Sequence, residues 1–411
     1  MLAQRDLHTG NEPLLECLYY DAGLCRSCVL IKTPQDVQLA DKQARAKELI
    51  DAEQWREPSA SGREVFRNKV KLAVTGTVSS PNLGIIRADG EGQDLRECPL
   101  PTPGIQEATA RLAQFVSECG FVPYDPRTDH GVLKFVIVTE SPAGELMVRF
   151  VAKRRGVQGM LFKKLERLRE LVPAARVVSL NVQPERMAII EGEEEILISD
   201  ADVLPMNLHV AGRELVLNLR PQSFFQTNTE AAQVLYSRAV EWLGDAGTAW
   251  DLYSGVGGFA LALASCGVHV VGVETQEQAV AAARKSAEEM LNAEKMGNAE
   301  DLGHAGETRA AGDTSGRAEF VAADATRWAR EQGVVPDAIV VNPPRRGIGP
   351  ELAEWIEGSG VQRVLYSSCN ADTLAQDLAV MRSYRVKVAQ VVDMFPHTRH
   401  FEVVALLELA S

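Results

Sequence analysis

The segment Trp250-Asp-Leu-Tyr-Ser-Gly-Val-Gly-Gly-Phe259 decides the fold class of this chain. An apolar strand pattern at Ala249–Tyr253 leads directly into a glycine-rich turn, and glycine lets the backbone approach a ligand closely. Strand and helix patterns then alternate, with strands at Val268–Val273, Glu319–Ala322, Ala338–Val341, Val364–Tyr366, Val386–Val392 and Val403–Leu409, and helices at Gln278–Leu291 and Thr373–Met381. This alternation predicts an α/β fold with a parallel, doubly wound sheet that binds ligands at the carboxyl ends of its strands.

The whole chain, at 411 residues, is too long for one ordinary domain, and three regions are predicted. Residues 1–105 hold a cysteine cluster, and residues 106–222 mix strands and helices as a central α+β module. Residues 223–411 form the doubly wound region. Within that region, 292–317 is rich in Gly, Ala and charge and is predicted to be a disordered surface loop.

Composition and charge narrow the class of protein. No apolar run approaches the roughly 20 residues that span a bilayer, and the polar start at Met1–Asn11 lacks a signal peptide, so a cytoplasmic protein is expected. The net charge of −13 argues against indiscriminate attraction of nucleic acid. Residues 149–169, however, hold eight Lys or Arg and one Glu. A solvated helix face and a track for RNA phosphates explain this run equally well.

The glycine turn and a later carboxylate indicate an adenosine cofactor. Glu274 ends the second strand, nineteen residues beyond Gly255, where a carboxylate typically binds the two ribose hydroxyls. The phosphate fingerprint G-x-G-x-x-G is not matched, because the glycines here are spaced G-x-G-G. That spacing favours S-adenosylmethionine, which carries no phosphate, over a nicotinamide dinucleotide. A purely structural turn is the alternative, and Asp324 after the third strand suits either an adenine contact or a helix cap.

Three further strand ends carry reactive side chains. Asn342-Pro343-Pro344-Arg345 follows the fourth strand and departs from the Asn-Pro-Pro-aromatic motif of amino-group methyltransferases at its fourth position. Cys369 follows the fifth strand and precedes a helix whose dipole is expected to lower the thiol pKa. Glu402 opens the last strand, where partial burial would poise a carboxylate as a base. An inert buried cysteine and a solvated glutamate are the alternatives.

A thiol, a methyl donor and a base together suit methylation at carbon 5 of uracil, a reaction that needs a covalent nucleophile. At these residues the chain resembles the RNA uracil-C5 methyltransferases. The motifs that carry the resemblance are Gln222-Ser-Phe-Phe-Gln226-Thr-Asn228, Asp251-Leu-Tyr-Ser-Gly-Val-Gly-Gly258, Asn342-Pro-Pro-Arg-Arg-Gly347, Ser367-Ser-Cys-Asn370 and Phe395-Pro-His-Thr-Arg-His-Phe-Glu402.

The resemblance implies a Rossmann-like S-adenosylmethionine-dependent methyltransferase domain, an N-terminal iron–sulfur region and a central RNA-binding module. It implies Cys369 as nucleophile and Glu402 as proton acceptor. S-adenosylmethionine would contact Gln226, Tyr253, Glu274 and Asn342, and a [4Fe–4S] cluster would be bound by Cys17, Cys25, Cys28 and Cys98. The spacing of these four cysteines alone leaves structural zinc as a competitor.

Within the family, the expected substrate is uracil 747 in a hairpin loop of 23S rRNA. Only sixteen residues precede Cys17, too few for the N-terminal β-barrel usual in the enzymes that act at position 1939. Methylation at position 1939, or at both positions, remains an alternative. Two other hypotheses are an amino-group methyltransferase that uses Asn342 and a non-catalytic RNA-binding iron–sulfur protein. No obligatory protein partner and no membrane are expected.

Overall fold

A computed structural model describes residues 14–186, 190–302 and 317–410. Over these ranges the helices are α1 Leu18–Asp21, α2 Gln35–Leu49, α3 Pro103–Glu118, α4 Gln158–Lys163, α5 Leu165–Leu171, α6 Thr229–Leu243, α7 Gly258–Ala264, α8 Glu277–Leu302, α9 Ala325–Glu331, α10 Gly349–Ser359 and α11 Ala371–Val380. A short 3₁₀ helix spans Arg155–Val157. Among the helices in the described ranges, none has both the length and the apolar character needed to cross a bilayer.

The strands fall into two sheets and a separate hairpin. The first half of the chain contributes β1 Ala52–Trp55, β2 Lys69–Gly76, β3 Pro81–Ile86, β4 Gly92–Asp94, β5 Leu133–Glu140, β6 Leu146–Ala152, β7 Ala175–Val182 and β8 Glu194–Leu197. The second half contributes β9 Leu204–Val210, β10 Arg213–Leu219, β11 Thr248–Leu252, β12 His269–Glu274, β13 Ala318–Ala322, β14 Ala338–Val341, β15 Arg363–Ser368, β16 Tyr384–Val392 and β17 Glu402–Leu409.

The larger sheet confirms the predicted α/β architecture. Its eight strands run in the order β1-β16-β17-β15-β14-β11-β12-β13. Neighbouring residues on one strand pack on opposite faces: Ala249 lies in the core with α6, α7 and α8, and Trp250 in the core with α9, α10 and α11. Helices therefore cover both faces, as in a doubly wound fold. The sheet is mixed rather than fully parallel, because β17 follows β16 through a short turn and must run antiparallel to it.

The smaller sheet brings together strands from both sides of the predicted boundary at residue 105. Its order is β4-β3-β2-β5-β6-β7-β8, and helices α3 and α5 pack on one face. The N-terminal region also supplies β1, which pairs in parallel with β16 at the edge of the larger sheet. Residue 105 therefore does not separate two independently paired sheets.

Helix α8 is longer than the sequence pattern indicated. It runs over Glu277–Leu302, so residues 292–302 are helical where a loop was predicted, and that part of the prediction is wrong. Seven of these eleven residues are strong helix formers: two Ala, two Glu, one Lys, one Met and one Leu. Residues 303–316 of the predicted loop lie outside the described residues.

Candidate active site

A cavity of about 620 Å³ lies at the carboxyl ends of the larger sheet. It opens where the glycine turn, the Asn-Pro-Pro-Arg segment and the start of β17 meet. All six residues predicted for catalysis and cofactor binding line it: Gln226, Tyr253, Glu274, Asn342, Cys369 and Glu402. Residues far apart in the sequence thus converge here, because parallel strands end at one edge of the sheet.

The glycine turn between β11 and α7 forms one wall of this cavity. Gly257 has a φ of 84°, and a Cβ at that position would lie 2.6 Å from the ring of Phe320, so only glycine fits. The backbone N–H of Gly255 donates to one carboxylate oxygen of Glu274 at 3.1 Å, and the N–H of Gln276 donates to the other at 3.0 Å. The Glu274 carboxylate is therefore fixed beside the turn, as a ribose contact requires.

Tyr253 and Asp324 complete this half of the cavity. Tyr253 has a φ of 68°, an unfavourable conformation for a residue other than glycine, of the kind that concentrates at functional sites. Its N–H donates to the carbonyl of Val273 at 3.0 Å. Asp324 lines the cavity and also caps α9, since its carboxylate accepts the N–H of Arg327 at 2.9 Å. The position of Asp324 is therefore compatible with both roles suggested by the sequence, an adenine contact and a helix cap.

Cys369 lies at the end of β15, half-buried in the same cavity. The expectation that the following helix lowers its pKa is wrong in net direction. Burial raises the pKa of the Cys369 thiol, and the Glu402 carboxyl raises it further, whereas Arg345 lowers it through charge and a hydrogen bond. Desolvation and the neighbouring Glu402 carboxyl determine the net direction of the shift.

Glu402 is buried more deeply than the sequence suggested. Its side chain is 3% exposed, and its Oε2 atom has no hydrogen-bond partner among the residues that the structure describes. Burial raises the pKa of Glu402 to about 8, with Arg345 acting in the opposite direction. A carboxyl group with a pKa in this range can exchange a proton near neutral pH, which suits a general base.

Sequence reasoning missed the effect of Arg345 on these two groups. In the sequence, this arginine was a departure from an amino-methyltransferase motif and part of the Asn342–Gly347 family motif, but it had no role of its own. Its charge acts on both the Cys369 thiol and the Glu402 carboxyl. Its carbonyl accepts hydrogen bonds from the Asn370 amide at 3.0 Å and the Thr373 hydroxyl at 3.2 Å. Arg345 can therefore stabilise a thiolate and a carboxylate at the same place.

The four N-terminal cysteines also come together in space. Burial, together with the charges of Cys98, Cys25 and Cys17, raises the pKa of Cys28 to about 12. The charges of Cys17 and Cys25 likewise raise the pKa of the Cys98 thiol. In the part of the chain that the structure describes, no three His, Cys, Asp or Glu side chains converge as ligands of a single ion. The described residues therefore do not show a metal site at these four cysteines.

The buried carboxyl leads to a prediction about stability and pH. The folded protein holds a proton on Glu402 up to about pH 8, whereas the unfolded chain releases it near its ordinary pKa. The free energy of unfolding should therefore fall as pH rises through this window. Glu402→Gln cannot ionise and so avoids that loss. The free energy of unfolding of the variant, relative to that of the parent, should therefore rise by about 2–4 kcal/mol from pH 5 to pH 8.

Urea unfolding of both proteins at these two pH values measures the difference. Glu408→Gln, on the same strand but half-exposed, supplies the baseline. A Glu402→Gln protein whose advantage over the parent is the same at pH 5 and pH 8 would contradict the raised pKa.

Comparisons with known proteins identify the family. The family model described as tRNA (uracil-5-)-methyltransferase matches residues 170–410. The 23S rRNA (uracil(747)-C(5))-methyltransferase RlmC of Yersinia pestis (strain Pestoides F) is 38% identical over 401 residues, which are 96% of this chain and 100% of that protein. RlmC of Yersinia enterocolitica is 39% identical, over 96% of this chain and 99% of that protein.

Among solved structures, the Pyrococcus abyssi tRNA (uracil-54, C5)-methyltransferase in complex with S-adenosyl-L-homocysteine superposes with a TM-score of 0.72 and 26% identity. The match covers 92% of this chain and 85% of that protein. Together with the extent of the sequence matches, this confirms the resemblance that the motifs indicated. The chain belongs to the tRNA (uracil-5-)-methyltransferase family and has its S-adenosylmethionine-dependent methyltransferase fold.

Proposed function

We propose that this protein methylates carbon 5 of uracil 747 in 23S rRNA, with S-adenosylmethionine as the methyl donor, in the cytoplasm. The observation that carries the proposal is that one cavity holds a thiol, a buried carboxyl and a glycine turn with its paired carboxylate. The two Yersinia relatives named for this reaction match nearly the whole chain and support the choice of substrate.

Each of the proposed cofactor residues would make a different contact with S-adenosylmethionine in the cavity. Glu274 would accept hydrogen bonds from the ribose hydroxyls, since the glycine turn holds its carboxylate at the cavity wall. Tyr253 and Asn342 would contact the bound cofactor from the ends of β11 and β14. Gln226, 7% exposed, would contact it from the segment before α6, where the Asn68 amide donates to its carbonyl at 3.0 Å.

The reaction needs a nucleophile because carbon 5 of uracil is too weakly nucleophilic to attack a sulfonium methyl group. The Cys369 thiolate, its charge balanced by Arg345, adds to carbon 6 and makes carbon 5 enolate-like. Carbon 5 then bonds to the methyl group as the methyl–sulfur bond of the donor breaks. Glu402, in its ionised form, removes the carbon-5 proton. The carbon 5–carbon 6 double bond then forms again as the carbon 6–sulfur bond breaks, and the thiolate returns.

The direct test maps 5-methyluridine in 23S rRNA from a deletion strain, its parent and a complemented strain. Loss of the modification at position 747, restored by the intact gene, is the expected result. Loss at position 1939 instead, or at both positions, would assign the alternative specificity. Unchanged 5-methyluridine throughout 23S rRNA would overturn the proposal.

The substrate must also be bound, and we infer that the central sheet and its basic run contribute. The run at 149–169 is less positive in the fold than in the sequence, because five of its cations form ion pairs with acidic neighbours: Arg149, Lys153, Arg155, Arg167 and Arg169. A target uracil must leave its base stack to reach Cys369, which costs least in a loop, so a hairpin-loop uridine is the proposed site.

Neutralising Lys153, Arg154 and Arg155 together with glutamine should weaken rRNA binding severalfold and flatten its salt dependence, because fewer counterions are released. Filter binding over a salt series measures both effects. S-adenosylmethionine affinity should not change. The matched control neutralises Arg382, Arg385 and Lys387, exposed cations around the start of β16, away from the cavity. If the two variants bound RNA with equal affinity, the basic run would be a solvent-exposed surface that does not contact the RNA.

We also propose that Cys17, Cys25, Cys28 and Cys98 bind a [4Fe–4S] cluster. The mutual influence of the four thiols supports it, as does their approach from two separate segments. Methyl transfer from a sulfonium needs no electron, so the cluster would be structural and tie Cys98 to the N-terminal segment.

Anaerobically purified protein should accordingly be brown and carry about four irons per chain. Cys25→Ser should lose the iron and lower the melting temperature. Cys266→Ser, at a free cysteine outside the group of four, should keep the iron and the melting temperature of the parent. Iron analysis and absorbance spectra after anoxic purification measure the outcome. Stoichiometric zinc without visible absorbance would reject the cluster.

A further inference from the structure

The turn that carries Glu402 into the cavity, residues 393–401, is anchored by a buried ion pair outside the cavity. Lys42 of helix α2 donates to the Asp393 carboxylate at 2.6 Å, and their side chains are 3% and 0% exposed. The same ammonium group donates to the carbonyl of Phe395 at 3.3 Å. Lys42 therefore holds the start of the turn at two points, although it does not line the cavity.

A second residue of α2 holds the middle of the turn. Gln38 lies one helical turn before Lys42 and is 1% exposed. Its side-chain oxygen accepts the backbone N–H of His397 at 2.9 Å, and its amide donates to the carbonyls of Leu30 at 3.1 Å and Thr33 at 2.8 Å. The N–H of Leu30 returns a bond to the carbonyl of His397 at 2.9 Å. Both peptide groups of His397 are thus bound.

The backbone conformation of His397 explains why the turn needs these hydrogen bonds. Its φ of 64° is unfavourable for a residue with a side chain, and conformations of this kind persist only where the surroundings impose them. The imidazole adds a 2.7 Å contact to the carbonyl of Arg63. Held this way, the turn leads directly into β17, whose first residue, Glu402, lines the cavity together with Cys369.

We propose that Lys42 and Gln38 are positioning residues that hold the turn so that Glu402 reaches the carbon-5 proton of the substrate. The inference rests on the proposed role of Glu402 as the base. Burial of an ion pair is a weak source of stability, because desolvation offsets the attraction between the charges. Geometric control of the turn is the function that the contacts of this pair support.

The segment between Cys28 and α2 also contacts the turn. The N–H of Leu30 donates to the carbonyl of His397, and the N–H of Ile31 donates to the carbonyl of Cys28 at 3.1 Å. Leu30 therefore joins the turn to the segment that follows Cys28.

The test compares Lys42→Met with Lys47→Met, an identical change at an exposed position of the same helix. Misplacement of Glu402 should slow proton removal roughly ten- to hundredfold. The RNA–protein adduct should then accumulate during turnover and survive denaturing electrophoresis. S-adenosylmethionine affinity should stay within about twofold of the parent. Lys47→Met should match the parent in every measurement.

A double variant, Lys42→Met with Asp393→Leu, guards against misfolding, since it leaves no unpaired buried charge. It should fold and still accumulate the adduct. The positioning role would be overturned if Lys42→Met and the double variant both accumulated no more adduct per folded enzyme than the parent. If Glu402→Gln itself traps no adduct, the proposed function of Glu402 has failed instead. A trapped adduct in Glu402→Gln alone rejects only the present inference.

Discussion

Cys369→Ala is expected to abolish uracil methylation and to leave no covalent RNA adduct. Without the thiol nothing adds to carbon 6, so carbon 5 never becomes enolate-like and cannot take the methyl group. Loss of a covalent nucleophile typically costs on the order of 10⁴-fold or more in rate. Transfer of a labelled methyl group to a hairpin RNA, followed by denaturing electrophoresis, measures both the product and the adduct.

Two controls make the Cys369 result specific. Cys266→Ala removes another accessible thiol outside the cavity and should leave activity intact. The Cys369→Ala protein should still bind S-adenosylmethionine, because the proposed cofactor contacts at Glu274 and Tyr253 remain. Full activity of Cys369→Ala would refute the covalent mechanism and favour transfer to an exocyclic amine beside Asn342.

Glu402→Gln should also stop turnover, but at a later step. The thiolate can still add to carbon 6 and the methyl group can still transfer. The proton on carbon 5 then has no acceptor, so elimination of Cys369 is blocked and a methylated protein–RNA adduct accumulates. A band that carries both the labelled methyl group and the RNA, stable in denaturing electrophoresis, is the expected observation.

Normal turnover by Glu402→Gln would assign the base elsewhere. His397 and Asp393 lie in the same turn, but both are buried and engaged. The imidazole of His397 contacts the carbonyl of Arg63, and Asp393 is paired with Lys42. Neither lines the cavity, whereas Glu402 does. The structure therefore makes Glu402 the first residue to replace.

The sequence alone determined the fold class and the elements that carry the site. Strand patterns depend on local alternation of apolar residues, and the predicted strands around Trp250, Val271 and Ile339 are all present. The glycine turn could also be predicted, because the positive φ of Gly257 excludes other residues. Since parallel strands end at one edge, Cys369 and Glu274 could be expected to meet without any coordinates.

Only the tertiary structure decided how the site is tuned and held. The pKa of Glu402 rises because the core packs around it, and burial is a sum over contacts from distant segments. Lys42 and Asp393 are 351 residues apart in the chain, and no local pattern marks them as partners. The same holds for β1, whose place beside β16 is set by long-range strand pairing. Short-range sequence patterns encode the elements, whereas packing between distant residues sets their register, their protonation and the position of the base.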